Sequence, residues 1–277
     1  MRLGANGFPY ENPEQWLQRV KELKASTVTA PISCQDPPEL KRAYQQLIQA
    51  HHLSVGEVGI WRNSLSPDPR ERKAALEFSK GQLMLAEELG ASCCVNIAGA
   101  RGCVWSGYYP ENYSSDTYAL LVDTVREIVD SVKPSRTFYT IEPMQWMHPD
   151  SPDDYLKLLQ DIDRDAVGVH LDYVNMINGV ERYHQRSEFI KECYRKLGPH
   201  VKSIHAKDLH LGPGAPCCLQ ECDPGKGEID FALVLRLAHR LGPDTPVFVE
   251  HMTEYPQFQK AMAYLRQVGE THGIPIQ

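Results

Sequence analysis

The sequence predicts a single (β/α)8 barrel, and three observations lead to that prediction. Eight short apolar runs alternate with eight amphipathic runs along the 277 residues. Strict alternation of strands and helices is typical of parallel sheets, and eight such units in roughly 250 residues is the usual size of this barrel. The first strand-to-helix turn, residues 4–9, lacks the Gly-x-Gly-x-x-Gly pattern that usually opens a doubly wound sheet. No linker interrupts the alternation, so we expect residues 1–277 to form one domain.

The predicted elements follow from residue type and spacing. Apolar and β-branched runs bounded by turn residues predict the strands, and apolar positions three or four residues apart predict the helices. Asn12-Pro13 and Ser151-Pro152 place a capping side chain before a proline, as at many helix starts, and Gly90 is a helix stop. The predicted strands are residues 2–7, 26–32, 54–61, 92–97, 137–142, 167–172, 201–205 and 247–250. The predicted helices are residues 13–23, 38–48, 71–89, 115–132, 152–159, 188–197, 229–241 and 255–270, and residues 210–228 are predicted to form a long loop.

Composition narrows the class of protein. The net charge of -7 argues against a nucleic-acid partner, because affinity for nucleic acid depends largely on Lys and Arg that neutralise phosphates. No run approaches the ~18 apolar residues of a membrane span, and no apolar signal core follows Met1. The eight cysteines are too few for a disulfide scaffold of this size and include two adjacent pairs, which favours a reducing compartment. We therefore expect a cytoplasmic protein with neither a nucleic-acid nor a membrane partner.

Ligand-type side chains end four consecutive predicted strands, the fifth to the eighth. These residues are Glu142, Asp172, His205 and Glu250. Because the carboxyl ends of all barrel strands point to one face, we expect the four side chains to converge there. Each of them alone is more typical of a loop cap or a structural histidine. Their joint occurrence favours a shared site.

Three carboxylates and one imidazole around a point predict one bound divalent cation. The oxygen-rich set suits Mn²⁺, Mg²⁺ or Co²⁺, and Zn²⁺ also accepts such ligands. Without a cation, three carboxylates this close would repel one another and raise one another's pKa.

Five stretches around these residues resemble the xylose isomerase-like TIM-barrel superfamily, which includes sugar isomerases, ketose 3-epimerases, hydroxypyruvate isomerases, inosose dehydratases and apurinic endonucleases. The resemblance covers the whole chain and is more specific for the superfamily than for a substrate. The stretches are Ile141-Glu142-Pro143, Leu171-Asp172, Ile204-His205-Ala206-Lys207-Asp208, Gly225-Lys226-Gly227-Glu228-Ile229-Asp230 and Val249-Glu250.

The resemblance implies a function as well as a fold. It implies that Glu142 and Glu250 bind the metal and also exchange protons with the substrate. The reaction implied is isomerisation or epimerisation of a sugar or a related keto-polyol through a metal-stabilised enediolate. This chemistry is reasonable, because a cation makes the proton next to a carbonyl more acidic and two carboxylates can remove and return it.

The sequence departs from the sugar 3-epimerases at three positions. Asn175 stands where those enzymes usually carry a histidine, Leu211 where they often carry an arginine, and His148 where they often carry a second glutamate. Substrate contacts are therefore predicted from other polar and aromatic side chains beside the strand ends: His148, Asn175, His210 and Trp61.

Three alternative functions stay open. Lys207 is a candidate acid/base, as in the dehydratase branch, which would make the protein a lyase that removes water from an inosose- or dehydroshikimate-type substrate. An apurinic endonuclease would need a three-metal cluster, for which Glu57 is the one further candidate ligand on the third strand. A barrel that only binds a sugar is the third alternative, although the intact ligand set argues against it. The sequence also leaves a homo-oligomer open.

Overall fold

Eight parallel strands form a nearly closed barrel in the computed structural model, which describes residues 1–277. The ten strands of the chain are β1 (Arg2–Ala5), β2 (Thr27–Thr29), β3 (Ser54–Gly59), β4 (Cys93–Asn96), β5 (Tyr139–Ile141), β6 (Val167–Leu171), β7 (Val201–His205), β8 (Asp208–Leu211), β9 (Leu219–Cys222) and β10 (Pro246–Val249). The barrel order is β1-β10-β7-β6-β5-β4-β3-β2. Next to the β1–β2 junction, Ser26 N donates to Leu3 O at 3.0 Å. The predicted (β/α)8 barrel is confirmed.

Helices follow the barrel strands and surround them. They are α1 (Pro13–Glu22), α2 (Pro38–Ala50), α3 (Pro69–Leu89), α4 (Ser115–Val132), α5 (Pro152–Ile162), α6 (Tyr173–Met176), α7 (Val180–His184), α8 (Arg186–Leu197), α9 (Phe231–Leu241) and α10 (Tyr255–Thr271). Two short 3₁₀ helices cover Pro110–Tyr113 and Gly198–His200. None of the helices has the length and apolar character that would let it cross a membrane.

The predicted helix signals act as expected in the structure. Asn12 accepts a hydrogen bond from the backbone N–H of Gln15 at 2.9 Å, and Ser151 accepts one from Asp154 N at 3.3 Å. Each satisfies a backbone donor that the first helical turn leaves free. Gly90 adopts a φ of 65° after α3, a left-handed conformation that glycine reaches without steric cost.

The core is one cluster of 64 buried apolar residues between the strands and the helices. Phe248 lies inside the barrel, and two glycines make room for its ring. A Cβ atom on Gly4 or Gly56 would lie only 2.6 Å from ring carbons of Phe248. The lower barrel is therefore a packed interior, and access to the strand ends is from the carboxyl side.

Two regions differ from the sequence-based expectation. Residues 210–228, expected to be a loop, contain most of an antiparallel hairpin made of β8 and β9. The connection between β6 and α8 contains the short helices α6 and α7. These elements have four or five residues each, too few to produce a periodic pattern in the sequence.

Candidate active site

The four predicted ligands meet at the carboxyl end of the barrel. Glu142 follows β5, Asp172 follows β6, His205 ends β7 and Glu250 follows β10. All four are buried, and one ligand atom from each lies within 4.8 Å of the others. The local fold accounts for this convergence, because neighbouring parallel strands in register bring their last residues to the same edge.

Distances within the cluster centre on the imidazole of His205. Its Nδ1 lies 2.8 Å from Glu250 Oε1, 3.5 Å from Glu142 Oε1 and 3.7 Å from Asp172 Oδ2. Lys207 joins the cluster, with Nζ 2.8 Å from Asp172 Oδ2 and 2.7 Å from Glu250 Oε1. The site thus combines three carboxylates with one imidazole and one ammonium group.

The donor atoms fit a divalent cation. His205 Nδ1, Asp172 Oδ2 and Glu250 Oε1 are fully buried, and although Lys207 Nζ lies within 2.8 Å of both carboxylate oxygens, none of the three atoms makes a hydrogen bond of good geometry. A buried polar atom without a partner costs free energy, so such atoms are normally paired. Three of them that face one another, with one from each of three ligands, are a donor set for a metal such as Mg²⁺ or Mn²⁺.

The charged groups of the cluster hold one another ionised. Burial alone lowers the pKa of Lys207, but the carboxylates of Asp172 and Glu250 outweigh burial and raise that pKa well above its ordinary value. Burial likewise acts to raise the pKa of Glu250, and His205 and Lys207 together hold it well below its usual range. Proton affinities inside the site are therefore set mainly by neighbouring charges.

A second layer of polar side chains lies beneath His205 inside the barrel. Glu57 Oε2 is 3.4 Å from His205 Nε2, and Glu57 Oε1 is 3.1 Å from His170 Nε2. Ser203 donates a further hydrogen bond to Glu57. Burial acts to raise the pKa of Glu57, but the two imidazoles outweigh it and lower that pKa to about 2. Glu57 is therefore an anion that faces the far nitrogen of the His205 ring.

Two asparagines hold the carboxylates from the cavity side. Asn175 Nδ2 donates to Glu142 Oε1 at 3.0 Å, and Asn6 Nδ2 donates to Glu250 Oε2 at 3.2 Å. The backbone N–H of Asn175 also donates to Asp172 Oδ1 at 3.0 Å, where Asp172 caps α6. These contacts fix the orientation of the ligand carboxylates.

Asp208 organises the loop that follows the hairpin. Its buried carboxylate accepts hydrogen bonds from the backbone N–H groups of Leu209, Gly225, Gly227 and Ile229, at 2.9 to 3.0 Å. A Cβ atom at Gly227 would lie 2.3 Å from Asp208 Oδ1, so the loop requires glycine there. Asp208 thereby anchors the segment that carries β9 back toward α9.

A cavity of about 690 Å³ opens above the ligand cluster. Glu142, Asn175 and Glu250 contribute to its lining, together with residues from the loops after several other strands. The remaining lining residues are Asn6, Gly7, Trp61, Ile97, Trp105, Ser106, Met144, Gln145, Trp146, Leu219, Glu221, His251 and Met252. A concave pocket with a few convergent polar groups is the usual form of a small-molecule site.

The predicted substrate contacts divide into two groups. Trp61 and Asn175 line the cavity, and His148 and His210 do not. His148 Nδ1 is 2.7 Å from Asp154 Oδ2, and His210 lies on β8 opposite Gln220. Substrate contact by these four residues stays a prediction, and the geometry supports it only for Trp61 and Asn175.

Several cavity residues were not found from the sequence. Glu221 reaches the cavity because the hairpin folds over the barrel end, where its Oε2 lies 3.8 Å from Lys207 Nζ. Trp105 and Trp146 come from the loops after β4 and β5. Nothing in the spacing of these residues relates them to the strand ends, because their positions depend on the loop conformation.

Comparison with known protein families identifies the class of protein to which this fold and this site belong. The sequence model of the xylose isomerase-like TIM barrel family matches residues 3–268. The chain belongs to this family. No curated protein matches the sequence.

Solved structures with the same fold share little sequence with this chain. A xylose isomerase-like TIM barrel protein from Mycobacterium smegmatis, in complex with magnesium, superposes with a TM-score of 0.70 at 18% identity over 95% of this chain and 90% of that chain. D-psicose 3-epimerase from Clostridium cellulolyticum H10, with D-tagatose, has a TM-score of 0.70 at 15% identity, covering 97% and 99%. The 3-keto-D-glucoside 4-epimerase from E. coli has a TM-score of 0.68 at 16% identity, covering 96% and 99%.

Proposed function

We infer that the protein is a divalent-metal-dependent isomerase or epimerase of a sugar or a related keto-polyol. The observation that carries this inference is the convergence of four buried ligand side chains, Glu142, Asp172, His205 and Glu250, at the strand ends of a family member. Similar folds in D-psicose 3-epimerase and 3-keto-D-glucoside 4-epimerase support the reaction class.

Four residues at the strand ends would hold the metal. Glu142, Asp172, His205 and Glu250 supply the ligand atoms. A bound Mn²⁺, Mg²⁺, Co²⁺ or Zn²⁺ would polarise the substrate carbonyl and increase the acidity of the neighbouring C–H group.

Proton transfer is assigned to the two glutamates. Glu142 and Glu250 reach the cavity from different strands, each oriented by an asparagine amide, Asn175 for Glu142 and Asn6 for Glu250. One carboxylate removes the proton next to the carbonyl, and the other returns a proton to the product.

Incorporation of solvent deuterium tests this function. The metal-loaded protein is incubated in D₂O with a panel of ketoses and keto-polyols, and the recovered sugar is analysed by mass spectrometry and NMR. The proposal predicts deuterium at one carbon next to a carbonyl, and a loss of about 10²- to 10⁴-fold in rate for Glu142→Gln. Glu87→Gln, the same change on the outside of the barrel, is the matched control. Equal incorporation by Glu142→Gln would contradict the proposed role of Glu142.

Lys207 supports a lyase as the second candidate. Its ammonium group is buried within 2.8 Å of Asp172 and Glu250, which places a proton donor beside the reacting groups. Such a donor could protonate a departing hydroxyl group and release water. A product with a new ultraviolet chromophore and no deuterated substrate would favour this reaction over epimerisation.

A further inference from the structure

Aromatic side chains form the upper walls of the cavity. Three of the four tryptophans of the chain, Trp61, Trp105 and Trp146, line it, and Met144 and Met252 extend the apolar surface. The cavity floor, by contrast, is made of Glu142 and Glu250 with their asparagine partners. The cavity therefore changes from charged and polar at the barrel to aromatic toward its mouth.

The tryptophan walls are held in place by specific contacts. Trp146 Nε1 donates to the backbone oxygen of Ser106 at 2.8 Å, which ties the loop after β5 to the loop after β4. Trp61 has a φ of 52°, a left-handed conformation that costs about 1–2 kcal/mol for a residue with a side chain. Its indole packs against Gly59, where a Cβ atom would lie 2.2 Å from Trp61 Nε1. Backbone strain of this kind persists where the surrounding structure imposes it, often at ligand sites.

The outer part of the cavity offers no free positive charge. The lining contains no arginine or lysine. Away from the metal ligands its charged residues are Glu221 and His251, and these pair with each other at 3.0 Å. Lys207 at the floor is already surrounded by carboxylates. A phosphate at this end of a substrate would lose its hydration and gain no cation in return.

Arginines in the loops at the same end of the barrel are bound to other groups. Arg62 lies over the ring of Phe78, and Arg101 donates to the backbone oxygen of Leu65. Arg182 donates to the backbone oxygens of residues 150 and 176. None of these guanidinium groups lines the cavity.

We propose that the substrate is an uncharged keto sugar that carries an apolar, ring-bearing substituent, such as an aryl glycoside whose sugar ring bears a ketone, rather than a bare or phosphorylated sugar. This proposal rests on the proposed function, because it assumes that the polar end of the sugar lies on Glu142 and Glu250. The cavity of about 690 Å³ lies within the roughly 300–1,000 Å³ range of pockets that hold drug-sized ligands, and one hexose is smaller than these. The second ring packs against the tryptophans, which supply large apolar contact surfaces.

Binding of two matched pairs of compounds tests the proposal. Phenyl β-D-glucoside is compared with methyl β-D-glucoside, both as binding analogues that lack the reacting ketone, and D-fructose with D-fructose 6-phosphate, by calorimetry with the metal-loaded protein. Quenching of tryptophan fluorescence locates the bound compound beside the indoles. The phenyl glucoside should bind roughly tenfold more tightly than the methyl glucoside, and the phosphorylated ketose roughly tenfold more weakly than the free ketose. Equal affinities within either pair, or no binding of the neutral compounds, would overturn the proposal.

Two substitutions separate the two parts of the proposal. Trp105→Ala should reduce the preference for the phenyl group and leave the discrimination against phosphate intact, and Trp105→Phe should restore the preference. Glu221→Gln should reduce discrimination against phosphate and leave the phenyl preference intact. If either variant changed the phenyl-to-methyl affinity ratio and the free-to-phosphorylated affinity ratio equally, the assignment of apolar and charged surfaces would be wrong. Circular dichroism confirms that the variants are folded.

The same samples distinguish failure of this proposal from failure of the proposed function. Deuterium incorporation into D-fructose 6-phosphate in preference to neutral sugars would keep the isomerase function and overturn the substrate class. Tight binding of the phenyl glucoside without deuterium incorporation or isomerisation of any keto sugar would support the substrate class and contradict the isomerase function.

Discussion

Replacement of Glu57 by glutamine tests how the layer beneath the metal ligands acts. Glu57 is connected to the metal ligands through His205, whose Nε2 lies 3.4 Å from Glu57 Oε2. If His205 holds a metal through Nδ1, its Nε2 would carry the ring proton and would donate a hydrogen bond toward Glu57. The Glu57 carboxylate therefore holds the imidazole in the tautomer and orientation that metal binding needs.

The expected loss of metal affinity follows from the hydrogen bonds that residue 57 can no longer accept. Glutamine keeps one oxygen but replaces the other with an amide NH₂ group, which cannot accept a hydrogen bond from either His170 or His205. Loss of such an outer partner typically weakens metal affinity by about 10- to 100-fold, equivalent to about 1.4–2.8 kcal/mol. Ser203→Ala removes one donor to Glu57 and should weaken the affinity less.

Calorimetric titration of the metal-free proteins with Mn²⁺ measures the effect. Glu87→Gln is the matched control, because it makes the same chemical change on the outside of the barrel. Circular dichroism shows whether the Glu57→Gln protein is folded before titration. A folded Glu57→Gln protein that binds Mn²⁺ as tightly as the wild type would refute the role of Glu57 in orienting His205.

Three further predictions concern stability and the loops. Glu87 accepts hydrogen bonds from residues 135–137, including one of 2.7 Å, and these contacts lower its pKa to about 2, first through the hydroxyl of residue 135. Because this folded-state pKa lies below the ordinary value of about 4.3, the stabilisation by Glu87 is complete near neutral pH and is lost as the pH falls toward 2. Urea unfolding should show Glu87→Gln less stable than the wild type by about 1–2 kcal/mol at pH 7 and by much less at pH 3. An equal difference at both pH values would be inconsistent with this account. Gly227→Ala places a Cβ against the Asp208 carboxylate and should cost about 1–3 kcal/mol and speed hydrogen exchange around residues 223–229; unchanged exchange there would contradict it. Asn112→Ala removes hydrogen bonds to the backbone oxygens of residues 107 and 146, at 3.0 and 3.3 Å, and should cost about 1–3 kcal/mol and loosen the Trp146 wall, seen as increased acrylamide quenching; unchanged quenching would argue against this role for Asn112.

The barrel and its ligand cluster could be predicted because they depend on local periodicity. Each strand is an apolar run, and Glu142, Asp172, His205 and Glu250 each stand at the end of one. A parallel barrel brings the carboxyl ends of its strands together regardless of the conformation of the loops. The ligand set therefore needed only the strand positions and the fold class.

The second layer could have been found from the same pattern. His170 and Ser203 each lie two residues before a ligand, and residues two apart on a strand face the same side. The sequence alone suggests Glu57 only as an additional ligand of a multi-metal cluster. In the structure its carboxylate faces His170 and His205 inside the barrel, so the spacing along β6 and β7 was the informative signal.

The upper cavity could not be predicted because loops build it. Glu221 is placed by a hairpin of two four-residue strands, whose connection passes through a stretch rich in Gly, Pro and Cys. Trp146 makes hydrogen bonds with Asn112 and with Ser106, the neighbour of Trp105, and these bonds join loops that are distant in sequence. Such positions depend on tertiary contacts, which residue spacing does not encode.

Metal content of the purified protein tests the central claim most directly. The wild type, Glu250→Gln and His205→Ala are loaded with Mn²⁺, freed of excess metal by gel filtration and analysed by plasma mass spectrometry. The account predicts one metal ion per chain in the wild type and loss or marked weakening of binding in both variants, because His205→Ala removes a ligand atom of the cluster and Glu250→Gln removes the negative charge of another ligand. A wild-type protein that retains no metal after loading would contradict the account, since the four residues would then be structural.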